Sequence, residues 1–116
     1  MRNNIEHELQ SYCIKYYKTV LPNGIIFAVP NQGKKSPAAM NYFIQEGFTA
    51  GAPDLVLTNA DGEICFVEMK TKTGRQSDAQ KSFQAKCDGI RENLYFVCRS
   101  IEQFKEIIKI NNRSDE

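Results

Sequence analysis

The stretch that decides the fold is residues 51–70, which read GAPDLVLTNADGEICFVEMK. It contains two runs of β-forming residues, LVLT and ICFV, separated by a polar segment with Asp61-Gly62 at its centre. An Asp-Gly pair between two apolar runs predicts a β-hairpin, because glycine accepts the positive φ of a tight turn. With the turn near Asp61, Asp54 lies opposite Glu68, where facing Cβ atoms are about 4.5–5.5 Å apart.

The second strand of this hairpin ends with an acid and a base on one face. Side chains alternate along a strand, so Ile64, Phe66, Glu68 and Lys70 share a face that begins apolar and ends charged. Two carboxylates and a lysine at the end of a sheet are the minimum set for metal-dependent cleavage of a phosphodiester. The alternative is that Glu68 and Lys70 form an ordinary exposed pair on an edge strand.

The order of these residues resembles a known family. Gly51-x-Pro-Asp54 is followed by Glu68-x-Lys70, and then by the set Gly74, Ser77 and Gln80. This pattern resembles the PD-(D/E)XK nuclease superfamily and, more narrowly, the VRR-NUC branch of virus-type replication-repair nucleases. Residues 6–10, EHELQ, are similar to the family's acidic N-terminal helix, and residues 31–33, NQG, to its loop after the first strand. The resemblance covers residues 5–108.

The resemblance implies a metal-dependent endonuclease acting on DNA, with Mg²⁺ or Mn²⁺ as cofactor. Small members are similar to Holliday-junction resolvases, so a branched or four-way DNA substrate is expected. Asp54 and Glu68 are then the side-chain ligands of the metal, and the Met69 carbonyl is a third ligand. Mg²⁺ favours such oxygen ligands. Lys70 orients the attacking water or stabilises the developing negative charge.

Two further candidate catalytic residues each allow a second interpretation. Glu6 adds a carboxylate from the first helix, or it only favours the helix dipole as an N-terminal acid. Glu8 is the fallback, although its helical angle differs from that of Glu6 by about 200°. Gln80 borders the catalytic site by resemblance, yet as the third residue after the N-cap Ser77 it is also explained by a capping box.

Net charge bounds the partners. The chain has 116 residues and a formal charge of +1, so it is one domain, residues 1–116, and not a generic polycation. Basic residues nonetheless flank the acidic pair, as a phosphate-tracking surface requires. The candidate DNA-binding residues are Lys34, Lys35, Lys72, Arg75 and Lys81. Taken without the motif, they form only a solvated loop and helix face.

The cysteine spacing and the hydropathy of the chain indicate the compartment in which the protein is expected. Cys13, Cys65, Cys87 and Cys98 are widely spaced and accompanied by His7 alone, which argues against zinc and predicts four small core residues. No apolar run is long enough for a transmembrane helix, and the N-terminus lacks a signal-peptide core. We expect a cytoplasmic protein without a membrane partner, in the bacterial host's cytoplasm if the protein is viral.

The periodicity of the chain predicts the order α-β-α-β-β-α-β-α. This fits an α/β fold with a restriction-endonuclease-like αβββαβ core, in which a mixed four-stranded sheet is flanked by helices. A first helix over residues 4–18 places Ile5, Leu9, Tyr12 and Tyr16 on its core stripe, next to a strip with Glu6, Gln10 and Cys13. The tail from residue 111 to residue 116 is polar and is expected to fray.

One active site in a chain of this size predicts a homodimer, because cutting two strands symmetrically needs two sites. Residues 40–48 are apolar beyond one helical stripe, and either an interface or core packing explains them. Two other functions on the same fold stay open: a nicking or flap nuclease, and a non-catalytic DNA-binding module. A protein-interaction domain without a nucleic-acid role is disfavoured by the basic run after Lys70.

Overall fold

The computed structural model describes residues 4–30 and 36–112, which form four helices and four strands. In chain order the elements are α1 (Asn4–Val20), β1 (Ile26–Ala28), α2 (Pro37–Gln45), β2 (Leu55–Thr58), β3 (Ile64–Met69), α3 (Asp78–Ile90), β4 (Tyr95–Cys98) and α4 (Ile101–Asn111). The predicted order is confirmed. No helix within these described residues combines the length and the apolar content that crossing a membrane requires.

The four strands form one mixed sheet in the order β1-β2-β3-β4. The pairs β1–β2 and β2–β3 are antiparallel, whereas β3 and β4 are parallel and are joined through α3. The predicted α/β class with a mixed four-stranded sheet flanked by helices is therefore confirmed. β3 lies between β2 and β4, so its residues are held from both sides.

The β2–β3 hairpin has the register that the turn predicts. Leu55 pairs with Val67, and the same register places Asp54 opposite Glu68. The Asn59 side-chain oxygen closes the turn by accepting the N–H groups of Asp61 and Glu63, at 2.9 Å each. Gly62 has a φ of 87°, which a residue with a Cβ adopts only at a cost. The turn chemistry thus fixes which residues meet at the far end of the hairpin.

The sheet has a buried face against α1 and α4 and a second face against α3. The first holds the larger core, in which Leu55 and Val67 of the sheet pack against Tyr17 and Phe104 of the helices. The second holds a smaller cluster around Leu94 and Tyr95, with Phe66 and Phe83 against it. All four cysteines are buried free thiols, which confirms the core assignment made from their spacing.

The predicted core stripe of α1 is half right: Leu9 and Tyr16 pack against the core, but Ile5 and Tyr12 do not. Ile5 and Tyr12 are 67% and 65% exposed, while Cys13 and Tyr17 are fully buried. The Tyr17 hydroxyl donates to the Thr58 carbonyl at 2.6 Å, which fixes the rotation of the helix against β2. The buried line therefore continues towards the N-terminus through the half-buried Glu6, which had been assigned to a neighbouring strip.

The predictions for α2 and for the C-terminal tail are also corrected. No residue of α2 is buried, so the core-packing interpretation of this apolar segment is wrong. At the other end of the chain, α4 continues to Asn111, which is buried and accepts a 2.8 Å hydrogen bond from the Asn59 side chain. Asn112 likewise accepts the Ala60 N–H at 2.8 Å. Fraying therefore does not begin at 111, and residues 113–116 lie outside the described part of the chain.

Candidate active site

Asp54 and Glu68 meet where the β2–β3 hairpin ends. Asp54 immediately precedes β2 and is half-buried, whereas Glu68 lies within β3 and is 3% exposed. The Asp54 Oδ2 atom accepts the backbone N–H of Met69 at 2.7 Å, which holds this carboxylate against the end of β3. The interpretation of Glu68 as an ordinary exposed acid on an edge strand is wrong, because β3 is central and Glu68 is buried.

The Glu68 carboxyl group is only partly satisfied. Its Oε2 atom accepts a 2.8 Å hydrogen bond from the Gln80 side-chain amide and lies 4.0 Å from the Lys70 ammonium. Its Oε1 atom is buried and has no hydrogen-bond partner in the described structure. Burial, followed by the negative charge of Asp54, raises the pKa of Glu68 to about 8, and Lys70 opposes this shift.

Pro53 leaves a backbone carbonyl free beside these two acids. In the β2–β3 ladder, Leu55 and Val67 are partners, so Pro53 is the next partner along for Met69. Met69 directs its N–H towards β2, where Asp54 accepts it. The carbonyl of the same strand residue points the same way, but proline has no N–H to donate to it. The Met69 carbonyl is therefore available at the position that the resemblance assigns to a metal ligand.

Lys70 follows β3 on the same face as Glu68, and its side chain is only 15% exposed. Its backbone N–H donates to the Cys98 carbonyl at 2.9 Å, which extends the pairing with β4 by one residue. The Arg99 guanidinium donates to the carbonyls of Thr71 and Gly74, at 2.8 and 2.7 Å. The turn that follows Lys70 is thus fixed by an arginine from the neighbouring strand end.

The sequence interpretation missed Arg99, although a signal for it was available. Parallel strands bring their carboxyl ends to the same edge of a sheet, so a residue after β4 reaches a residue after β3. The register pairs Met69 with Cys98, which places Lys70 and Arg99 side by side. Recognising the β3–α3–β4 unit as a parallel crossover would have identified this arginine.

Gln80 belongs to the capping box of α3 and also contacts the acidic pair. Its side-chain oxygen accepts the Ser77 N–H at 2.8 Å, and its backbone N–H donates to the Ser77 hydroxyl at 3.1 Å, which completes the capping box of α3. The amide nitrogen at the other end of the same side chain donates to Glu68. Gln80 therefore joins the start of α3 to the acidic pair.

Glu6 lies on the side of α1 that faces the sheet, and its negative charge contributes to the raised pKa of Glu68. Glu8 and His7 are exposed. Of the two acids on this helix, Glu6 is therefore the one that faces the pair. Within residues 4–30 and 36–112, no three His, Cys, Asp or Glu side chains are grouped so that they could hold a metal ion.

A cleft of about 750 Å³ opens beside the acidic pair. Asp54, Glu68 and Gln80 line one end of it. The rest of its lining is largely apolar and includes four phenylalanines, Phe43, Phe48, Phe66 and Phe83. This cleft could not be predicted from the sequence, because α2 and the segment after it form one wall while β3 and α3, further along the chain, form another.

Of the predicted DNA-binding residues, the three that the structure describes are not among the residues that line the cleft. Lys72, Arg75 and Lys81 are exposed. Lys72 and Arg75 belong to the segment between β3 and α3, and Lys81 lies in the first turns of α3. Lys34 and Lys35 fall outside the described residues. Three of the five predicted basic residues are thus exposed, two of them in the segment that follows Lys70.

Comparison with known proteins identifies the family. Residues 10–102 match the family model of the VRR-NUC domain. A solved structure named "VRR_NUC domain" superposes with a TM-score of 0.65 at 20% identity, covering 92% of this chain and 97% of the other. A second, named "VRR_NUC domain protein", gives 0.62 at 19% identity, covering 97% and 94%. No curated protein matches the chain. From its family match over most of its length, the chain belongs to the VRR-NUC family of nuclease domains.

Proposed function

We propose that the protein is a Mg²⁺- or Mn²⁺-dependent endodeoxyribonuclease that cuts branched DNA in the manner of a Holliday-junction resolvase. The observation that carries the proposal is the Asp54–Glu68 pair, in which Glu68 is buried and one of its oxygens has no hydrogen-bond partner in the described structure. A buried, unsatisfied carboxylate oxygen is costly unless a ligand completes it. Family membership supports a nuclease, and this oxygen supports a bound cation.

The donor set fits a hard divalent cation. Asp54 and Glu68 supply carboxylate oxygens, and the Met69 carbonyl, which Pro53 cannot engage, supplies a third. Such an ion keeps several waters and therefore does not need a cage of three acidic side chains. When bound, a divalent ion lowers the pKa of a coordinated water and neutralises charge on the phosphate.

The remaining residues of the site orient its reacting groups or stabilise charge on the phosphate. Lys70 presents an ammonium beside Glu68, where it orients water or stabilises negative charge that develops on the phosphate. Gln80 holds one Glu68 oxygen in place, and the other has no hydrogen-bond partner in the described structure. Glu6 adds negative charge from α1 and raises the affinity of the pair for a cation. Lys72, Arg75 and Lys81 contact the DNA backbone.

The proposed substrate requires two sites acting together, and α2 is the proposed contact between two copies. Tyr42 and Ile44 on α2 are 66% and 53% exposed and lie about 200° apart around the helix, so we take Ile44 alone as the contact residue. A two-fold contact through α2 would set two identical sites at a fixed separation, as symmetric cutting of a four-way junction needs.

The test compares a labelled four-way junction with matched linear duplex, each incubated with Mg²⁺, with Mn²⁺ and with EDTA. Asp54→Asn and Lys70→Ala are assayed beside the native protein. We expect paired, symmetric cuts in the junction that require metal and disappear in both variants. Metal-dependent cutting of the duplex at the same rate would leave the endonuclease and remove the resolvase assignment.

Two other results would change the assignment further. Single cuts near a branch by a monomeric protein would favour a nicking or flap nuclease. Binding of DNA without cleavage of any substrate would favour a non-catalytic binding module. Phosphate-mediated binding is recognised by a steep loss of affinity as salt rises.

A further inference from the structure

The cleft beside the acidic pair has the dimensions of a ligand pocket. Its volume of about 750 Å³ lies within the range of about 300–1,000 Å³ that is usual for such pockets. The cleft opens beside the acidic pair, so a ligand can enter it from solvent. Its four phenylalanines are half-buried rather than buried, which leaves ring surface facing the cleft.

Outside the acidic pair, the described lining of the cleft carries one ionisable side chain, Glu46, and is otherwise uncharged. The ionisable side chains among its described lining residues are Glu46, Asp54 and Glu68, all of them acidic. The basic residues Lys72 and Arg75, which suit the DNA backbone, are not among that lining. An aromatic, otherwise uncharged cleft that joins a phosphodiester-cleaving site suits the part of a nucleotide that is flat and uncharged, which is the base.

The spacing along β3 fits one nucleotide. Phe66 and Glu68 point to the same face and are two residues apart, which is about 7 Å along a strand. This is comparable to the distance between a nucleotide's phosphate and its base. A nucleotide whose phosphate lies at Glu68 therefore extends its base into the aromatic part of the cleft, which is lined by Phe43, Phe48, Phe66 and Phe83.

We propose that this cleft receives a nucleobase that has left its stack next to the scissile phosphate. The inference rests on the proposed nuclease function and narrows its substrate class to DNA with an unpaired or easily unpaired nucleotide at the cut, as at a branch point. Unstacking costs least where the base is already unpaired. Stacking on aromatic rings is tolerant of sequence, so the cleft selects DNA structure rather than base identity.

The polar groups of the cleft are consistent with this lack of base reading. The Ser77 hydroxyl accepts the Gln80 N–H, and the Gln80 side chain bridges Ser77 and Glu68. The Thr49 hydroxyl donates to the Gly47 carbonyl at 3.2 Å. These side chains are already engaged within the protein, so their geometry is set for holding the site and not for distinguishing one base edge from another.

The experiment uses three DNA duplexes of one sequence that differ at a single position. In the first this position is paired, in the second it holds an unpaired 2-aminopurine, and in the third it is an abasic site. Phe43→Leu and Phe48→Leu remove a ring from the cleft but keep an apolar side chain. Phe27→Leu is the matched control, because Phe27 is 52% exposed on the edge strand β1 and is not among the cleft residues. Cleavage is measured with Mg²⁺, and 2-aminopurine fluorescence is measured on binding in EDTA.

We expect the native protein to cut the unpaired duplex faster than the other two and to change the fluorescence of the unpaired base. Phe43→Leu and Phe48→Leu should each slow cutting of the unpaired duplex about tenfold, the size of a lost base–aromatic stack, whereas Phe27→Leu should leave it unchanged. Melting temperatures of all three variants check that each folds like the native protein.

The experiment distinguishes a failure of the base-cleft proposal from a failure of the proposed nuclease function. If the native protein cuts DNA but the three phenylalanine variants behave alike, or if the abasic duplex is cut as fast as the unpaired one, the base cleft is wrong and the nuclease stands. If the native protein binds DNA and cuts none, the proposed function fails. The fluorescence arm then decides the cleft alone, and an unchanged signal on binding overturns it.

Discussion

Lys70 and Lys72 are two positions apart, but their surroundings differ, and we expect them to have different roles. Lys70 is 15% exposed and lies beside Glu68, while Lys72 is exposed in the following turn. Lys70→Ala should lower the cleavage rate about 10²–10³-fold with little change in DNA affinity, as expected for a lost charge-stabilising group. Single-turnover cleavage and binding isotherms, measured on the same DNA, separate the two effects.

Lys72→Ala is the matched control. As a phosphate contact it should weaken binding evenly across DNA sequences and reduce the salt dependence by about one unit of slope, while bound DNA is cut at the native rate. Equal losses of cleavage rate in the two variants would contradict the assignment of Lys70 to the site.

Glu68 makes the stability of the metal-free protein depend on pH in an unusual direction. Its pKa rises on folding from 4.5 to about 8, so between these values the folded state holds a proton that the unfolded state has released. Stability from this group is therefore complete below pH 4.5 and is lost as pH rises through about 8. In EDTA, the melting temperature should fall over this interval.

Glu68→Gln separates this effect from the rest of the chain. The amide cannot ionise, so the fall in melting temperature between pH 4.5 and 8 should be much smaller in the variant. The comparison is made by thermal unfolding in EDTA at matched ionic strength. Parallel pH curves for the two proteins would show that Glu68 is not the group responsible.

At the scale of single residues, the sequence predicted which side chains meet, but not which of their atoms are left without a hydrogen bond. The opposition of Asp54 and Glu68 follows from the turn at Asp61-Gly62 and from strand alternation, both local rules. The unsatisfied Glu68 oxygen could not be predicted, because it depends on where the Gln80 side chain ends after α3 has packed.

At the scale of elements, Gly51 is where the loop before β2 meets the first turn of α3. Gly51 has a φ of 80°, and a Cβ built there would lie 2.3 Å from the Ala79 carbonyl oxygen. Gly47 has a φ of 102°, but a Cβ there would meet nothing within 4 Å. Both alanine variants should lose about 1–2 kcal/mol from the left-handed backbone, and only Gly51→Ala adds a clash with another element.

Gly51→Ala should therefore melt below Gly47→Ala and should lose more cleavage activity. The clash pushes the loop that carries Asp54 away from the helix that carries Gln80. Thermal unfolding and cleavage of one substrate measure both losses. Equal melting temperatures would mean that the loop moves aside without cost.

The elements themselves were predicted in kind and order, and the error lay in the rotation of α1. Ile5, Leu9, Tyr12 and Tyr16 recur at helical spacing, and so do Leu9, Cys13 and Tyr17. Local periodicity alone does not choose between two such stripes. The choice is made by the Tyr17 hydroxyl, whose acceptor at Thr58 is 41 residues away along the chain.

At the scale of the whole molecule, the exposed apolar surface of α2 predicts a dimer. Ile44→Lys should convert the protein to a monomer and replace paired cuts in a four-way junction by single nicks, while leaving the chemistry of each site intact. Light scattering gives the mass, and product analysis on the junction gives the pairing of cuts.

Ile90→Lys provides the control for that substitution. Ile90 is 74% exposed at the end of α3, so the same change in charge and hydropathy is made on another helix. It should alter neither the mass nor the pairing of cuts. A native protein that is already monomeric at working concentration would contradict the dimer without any variant.

Because the first and last helices close the core together, the site can form only after α4 has been synthesised. Tyr16 of α1 and Phe104 of α4 lie with their ring centroids 6.3 Å apart, and both helices cover the same face of the sheet. β3, which carries Glu68, has β4 as one of its two neighbours. A growing chain therefore holds every acidic residue of the site well before it can hold them in place. Until translation has passed α4, a nascent copy carries the residues of a nuclease without the scaffold that would let them act.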